Sequence, residues 1–345
     1  MARGRHGQDD AEFRRRVDAA RGRVALSDVA GRYTKLTRFG RELGGLCPFH
    51  KEKSPSFRVN DAKATYYCFG CGAFGDVIKF LVKKAGLSFM DALRDIEGGT
   101  YAEVDPAERA RRTEEDAADR EAAIAEARRI WDDASEAADS PAEVYARSRG
   151  IIMPLPPSIR FTRVYAWIDR ENGEVGPDLP ALIGAVTDGN GEVIGLQRIF
   201  LAKGGHAKAS MRKPKKSLGR IRGGALRLDH AIVRDAWANE GVGLLPPDDP
   251  RSEVIITEGP EDGLSLAQEM PARRVWVALG TAMMPEVQFP PEVRSIVIAG
   301  QNDKAGHDAV KKAGEALAER GFGVRTMFPA PEFKDWNDQL RGIRK

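Results

Sequence analysis

The sequence predicts a multidomain α+β protein, on three observations. All three cysteines of the 345-residue chain fall in two short pairs, Cys47-x2-His50 and Cys68-x2-Cys71. Residues 107–139 are dense in Ala, Glu, Asp and Arg with sparse apolar points, the composition of a connecting helix. From 253 to 329, short apolar runs alternate with helical patterns, the grammar of a parallel sheet with helices on both faces. A chain this long exceeds what one core usually organises. The expected segments are a cysteine-stapled module over 20–97, a helical linker over 98–149, a basic β-rich accessory region over 150–250 and an α/β domain over 251–341.

Taken in order, Leu26 to Val29 reads as a short helix with Ser27 at its N-cap. Ser56 to Val59 and Thr65 to Tyr67 are two strands joined by a hairpin loop over 60–64, which brings the two Cys/His pairs together. Val77, Ile78, Leu81 and Val82 recur at helical spacing, and Phe89, Leu93 and Ile96 mark a second short helix. Pro141 opens a further helix that closes near Gly150. Ala181 to Val186 and Val193 to Phe200 flank Asp188-Gly189-Asn190-Gly191, a hairpin turn. Strands then fall at 254–257, 275–279, 296–299 and 323–328, with helices at 263–270 and 307–320 between them.

Three thiolates and an imidazole are the soft, four-ligand set of a structural zinc site, so Cys47, His50, Cys68 and Cys71 are read as Zn²⁺ ligands of a zinc ribbon. With every cysteine so used, with no apolar run long enough to cross a bilayer and no apolar signal segment, a cytoplasmic protein without membrane contact is expected. The formal net charge of +3 says little about partners, but the distribution says more. Basic residues gather around the zinc pairs (Arg41, Lys51, Lys53, Arg58) and in a loop with Lys203, Lys208, Arg212, Lys213, Lys215 and Lys216. Each group is either a phosphate-contacting surface for nucleic acid or a solvated face.

Acidic residues stand at successive strand ends of the C-terminal region: Glu258 and Asp262 after the first strand, Asp303 after the third, Asp335 and Asp338 after the fourth. Ligands of open parallel sheets collect there, and hard carboxylate oxygens hold Mg²⁺ or Mn²⁺ against phosphates. Asp262 serves equally well as a residue favouring a helix N-terminus.

Gly45 to Phe57 and Tyr67-Cys68-Phe69-Gly70-Cys71-Gly72 resemble the zinc-binding signature of bacterial and phage DNA primases, and Glu258-Gly259 with Asp262, then Asp303 and Asp335, resemble the motifs of their TOPRIM domain. The resemblance implies a zinc ribbon that engages single-stranded template and a TOPRIM site at Glu258, Asp262, Asp303 and Asp335. That site joins ribonucleoside triphosphates with Mg²⁺ or Mn²⁺ held by Glu258, Asp303 and Asp335, and a replicative helicase is the implied partner. Gln301 stands where the family's Asp-x-Asp motif has its first aspartate, which removes one negative charge; with Asp338 it is read as a cofactor-binding group. The expected function is DNA primase. A catalytically weak TOPRIM module that binds single-stranded DNA and a metal-dependent nuclease are the rivals.

Overall fold

The computed structural model describes residues 3–40, 42–168, 173–229 and 252–345, and Arg41 lies outside the described residues. The chain divides into two compact units, Met1–Asp119 and Arg120–Lys345.

The first unit is built on a five-stranded sheet of β1 (Thr37–Phe39), β2 (Glu42–Gly45), β3 (Phe57–Asn60), β4 (Thr65–Cys68) and β5 (Phe74–Gly75). Every neighbouring pair is antiparallel, and the order in space is the order in sequence. Helices α1 (Arg3–Arg23), α2 (Leu26–Gly31), α3 (Val77–Ala85) and α4 (Phe89–Glu97) contribute to its core. The strand period of two sends Phe57, Val59 and Tyr66 inward to meet Ile78, Phe80 and Leu81 of α3. Phe49 lies 5.3 Å from the ring centroids of both Tyr66 and Phe80, so an aromatic cluster supports the metal pairs from beneath. Asp76 and Ser88 cap α3 and α4 by accepting the amides of Lys79 and Asp91. Ser27 is not the cap of α2: Ala25 holds that position, and the Ser27 hydroxyl is drawn away to Asp61.

Helix α5 (Pro106–Asp132) runs from the first unit into the second. The second unit carries a ten-stranded sheet. Its antiparallel half holds β6 (Ser135–Glu136), β7 (Ile159–Tyr165), β8 (Asp178–Thr187), β9 (Val193–Phe200), β10 (Lys215–Gly219) and β11 (Ala225–Arg227). Its parallel half holds β12 (Glu253–Thr257), β13 (Arg274–Val277), β14 (Ser295–Ala299) and β15 (Gly323–Met327) in the order β13-β12-β14-β15. The seam is β11, which pairs with β8 on one side and β13 on the other, so the two halves form one sheet.

Alternation along the parallel strands decides the packing. Ile255, Val275, Val277 and Val297 face one side, where Leu264 and Leu266 of α7 (Pro260–Glu269) and Trp336 of α9 (Trp336–Leu340) cover them. Ile256, Trp276, Ile296 and Ile298 face the other, beneath Val310, Ala313 and Leu317 of α8 (Lys304–Glu319). Burying each such side chain contributes roughly 1.5–3 kcal/mol, and both faces are apolar because both are covered. Helix α6 (Pro141–Ser148) places Tyr145 in the same core as α7. Among the described residues, no helix is long and apolar enough to cross a membrane.

Candidate metal centre and polyphosphate cleft

Hairpin β3–β4 brings the ligand pairs together: one ligand atom each from Cys47, His50, Cys68 and Cys71 lies within 4.8 Å of the others. Cys47 Sγ is 3.9 Å from Cys71 Sγ, and Cys68 Sγ is 3.8 Å from His50 Nδ1. Zinc with Zn–S bonds of about 2.3 Å sets its ligand atoms roughly 3.8 Å apart, so the cluster fits a closed tetrahedral ion and has zinc-binding capacity. Gly70 is dictated here by close approach, since a Cβ would stand 2.7 Å from His50 Nε2. Burial pushes the Cys47 thiol up to about 12, against lowering hydrogen bonds from the Phe49 and His50 amides.

Glu52 is the residue of this centre that sequence reasoning missed. Its Oε1 accepts the amides of Cys47 at 2.7 Å and Ser56 at 3.0 Å, and Oε2 accepts the Ser56 hydroxyl and lies 3.3 Å from His50 Nε2. Although burial raises this carboxyl, the hydrogen bonds from Ser56 and Cys47 hold it below its ordinary value. Such a carboxylate behind a ligating imidazole fixes which nitrogen faces the metal. The signal was its place five residues after Cys47, in the same turn as His50.

The outer face of the ribbon sheet is aromatic and basic. Gly44, Arg58, Tyr67 and Phe74 stand opposite one another across four strands. Because Gly44 has no side chain, Arg58 crosses β2 and lies 4.0 Å from the centroid of Phe39. Phe39, Phe69 and Phe74 are 56%, 62% and 64% exposed, unusual for phenylalanine, and Lys79 Nζ stands 5.2 Å from the Phe74 ring. Lys51 and Lys53 are exposed nearby in sequence.

In the second unit, the carboxyl ends of β12 and β14 and the loop before α9 open onto a cleft of about 510 Å³. Its lining brings Glu258, Asp262, Gln301, Asp335 and Asp338 together with the cations Arg149, Lys208, Lys215 and Lys216. Asp303 is not among the lining groups. It caps α8 by accepting the Gly306 amide at 2.7 Å, yet lies near enough to raise the Glu258 carboxyl, a shift due first to burial. Asp335 likewise caps α9 through the Asp338 amide at 2.8 Å. Lys203, Arg212 and Lys213 are exposed and line no part of this cleft.

Gln301 donates from Nε2 to Asp262 Oδ2 at 2.9 Å, while Asp262 Oδ1 accepts the Asn337 amide at 3.1 Å. Burial first, then the neighbouring Asp335, pushes Asp262 up to about 6, and the Gln301 bond works against that rise. Among the described residues, the carboxylates of this cleft form no convergent metal-ligating group like the one at Cys47, His50, Cys68 and Cys71. The donor set fits a hydrated Mg²⁺ or Mn²⁺ held by one or two carboxylates plus ligand phosphates, and it does not form an all-protein cage.

Glu261 was also missed. It is almost fully enclosed, with Lys208 Nζ at 2.8 Å, Lys215 Nζ at 2.6 Å and the Tyr145 hydroxyl at 2.8 Å. Burial opposes ionisation, but the two ammonium groups win and hold this carboxyl down at about 2.

Three family models match the chain: the CHC2 zinc finger over residues 13–112, a domain of unknown function (DUF7146) over 121–228 and the Toprim domain over 253–343. The chain is similar to a DNA primase of Listeria innocua, 40% identical over 89 residues that make up 26% of this chain and 14% of that protein. A DNA primase of Rickettsia bellii is 51% identical over 75 residues, 22% of this chain and 12% of the relative. The matched stretch thus spans about a seventh or less of these relatives' length. The crystal structure of the Aquifex aeolicus primase (zinc binding and RNA polymerase domains) aligns with 95% of this chain and 82% of that one, at 20% identity and a TM-score of 0.43.

Proposed function

We propose, for a chain that belongs to the bacterial/phage-type DNA primases with an N-terminal CHC2 zinc ribbon and a C-terminal Toprim domain, that it synthesises short RNA primers on single-stranded DNA. The observation that carries this reading is the two-signed cleft. Carboxylates at Glu258, Asp335 and Asp338 share its lining with cations at Arg149, Lys208 and Lys215, the pairing that a divalent ion and a triphosphate require together. When bound there, Mg²⁺ or Mn²⁺ would neutralise phosphate charge and favour ionisation of an attacking 3′-hydroxyl. The chain's own part is to orient. Glu258, with its carboxyl raised by burial and by Asp303, is suited to hold or pass a proton beside the reacting phosphate.

Template binding is assigned to the ribbon's outer face, where Phe39 and Phe74 offer stacking surfaces and Arg58 and Lys79 offer charge. Stacking on aromatic side chains accepts any base, while cations follow the backbone. The zinc cluster serves as a staple, since four protein ligands leave no open coordination position.

A second reading is favoured by one observation, the Gln301–Asp262 hydrogen bond, which occupies a carboxylate that a more acidic site would turn to metal. On that reading the chain is a weakly active module that binds single-stranded DNA. A template-directed assay with ribonucleotides and Mg²⁺ or Mn²⁺, run beside Glu258→Ala, decides. Labelled primers that disappear in Glu258→Ala uphold synthesis. Template binding without primers in either metal upholds the second reading, and template degradation without nucleotides would instead mark a nuclease.

A further inference from the structure

Segment 121–228, which matches a domain of unknown function, supplies every cation that lines the cleft. Two of those cations are held in an unusual way. Lys208 comes from the loop after β9 and Lys215 from the first residue of β10, and both ammonium groups converge on the single enclosed carboxylate of Glu261. Tyr145 of α6 closes the third side with its hydroxyl. Arg149, one turn further on, lies with its guanidinium 5.3 Å from the Tyr145 ring centroid. Its Nε is buried without a hydrogen-bond partner, and its charge reaches Asp338 of the same cleft. Lys208 and Lys215 thus share one enclosed anion at the edge of an open cleft, and Arg149 lines the same cleft.

We propose that Glu261 is a positioning residue that presents Lys208 and Lys215, together with Arg149, as a binding edge for the polyphosphate of the incoming nucleotide. This deepens the priming reading and rests on it for the nucleotide. The recognition chemistry is that of a chain of phosphates. Arg149 supplies a planar fork for two oxygens, and its buried Nε gains an acceptor. Lys215 and Lys208 act as point charges whose flexible stems are already ordered by Glu261, so little side-chain entropy remains to be lost on binding. Lys216 is not counted in the edge, because its Nζ donates to the Ala166 carbonyl at 2.7 Å.

The sign of one substitution separates positioning from bulk electrostatics. Removing a negative charge near a polyanion site should tighten binding if only net charge matters. If Glu261 acts by ordering the two lysines, Glu261→Gln should weaken binding despite the loss of a negative charge. The experiment is calorimetric titration of the full chain with inorganic tripolyphosphate in magnesium buffer. Expected losses are about tenfold for Arg149→Ala, about threefold for Arg149→Lys and for Lys215→Ala, and about fivefold for Glu261→Gln. Lys215 is an exposed residue, so Lys215→Ala tests the edge even where Glu261→Gln fails to fold.

Equal or tighter binding by Glu261→Gln, or unchanged binding by Arg149→Ala and Lys215→Ala, overturns the proposal. So does wild-type protein that binds no tripolyphosphate. Primer synthesis is followed separately. Synthesis with an unchanged KM for nucleotide in Arg149→Ala sinks this inference alone. Tripolyphosphate binding with the expected losses but no primers sinks the priming reading and leaves the polyphosphate edge standing.

Discussion

Acidification should unlock the Glu261 centre, and the size of the effect follows from what surrounds it. Burial alone would raise this carboxyl; Lys215 and Lys208 at 2.6 and 2.8 Å hold it down at about 2, against an ordinary 4.5. The remaining groups that face it are the Tyr145 hydroxyl and the next carboxyl in sequence, Asp262. A folded-state value below the unfolded one means stabilisation that is complete above about pH 4.5 and lost as pH falls toward about 2. The difference corresponds to roughly 3 kcal/mol, of which about 2 kcal/mol would be gone by about pH 3. The assay is urea unfolding of the wild type and Glu261→Gln over about pH 6 to about pH 3. It is followed by tryptophan fluorescence, because all five tryptophans come after residue 119 in the sequence and the four described ones lie in the second unit. Other carboxylates titrate in both proteins and cancel in the difference. The wild type should be the more stable at the upper pH, and its advantage should shrink by about 2 kcal/mol at the lower. An advantage that does not change with pH would refute the assignment of a charged, lysine-locked Glu261.

Glu52→Ala should weaken zinc binding by about ten- to a hundredfold in a chelator competition, since it removes the partner of His50 and the acceptor of two backbone amides; a change within about twofold would make Glu52 a bystander. Chelation of the wild type should disturb the first unit and leave the tryptophan-reported unfolding of the second unchanged, and a lowered midpoint there would contradict the division. Phe39→Ala and Phe74→Ala should each weaken single-stranded DNA binding by about 1–3 kcal/mol, read by fluorescence anisotropy, and wild-type affinity in both would deny the stacking role. Gln301→Asp should tighten Mn²⁺ binding about tenfold by paramagnetic titration, because a hard anion replaces an amide beside Asp262; unchanged affinity would place the cation away from that end of the cleft.

The ribbon was legible because its information is local. Spacing within each ligand pair and one hairpin suffice to close the cluster, and both pairs and the hairpin stand where the sequence puts them. The strands β12 to β15 were equally readable as apolar runs, with ends displaced by a residue or two, while α7 and α8 each begin three residues before the apolar pattern, α8 behind its Asp303 cap. What escaped is nonlocal. Ser27 looks like a cap until Asp61, thirty-four residues away, takes its hydroxyl. Glu261 looks like one more acidic residue in a helix's first turn, and nothing near it in sequence announces Lys208, Lys215 or Tyr145. Asp303 is placed by its motif at the site, but its oxygen is engaged in capping, a role the same residue type performs at countless helices.

The seam strand β11 explains why the acidic and basic groups of the cleft belong to one machine. The carboxylates arise from loops after parallel strands, and the cations arise from α6 and from the β9–β10 edge of the antiparallel half. Leu226 pairs with Val186 of β8 and with Val277 of β13, so backbone hydrogen bonds carry the register of one half into the other. Their separation is therefore fixed by a continuous sheet, with Glu261 tying the cationic side chains to the helix that follows Glu258. Removing residues 121–228 would take away more than positive charge. It would bare the edge of β13 and uncover Leu264 and Leu266, which share their core with Tyr145, Leu182 and Leu226. A Toprim half cut out in this way would lose affinity for polyphosphate and solubility together, and so could not separate the two causes. Point substitutions at Arg149 and Lys215 remove cations while leaving the shared core in place, because neither side chain belongs to it.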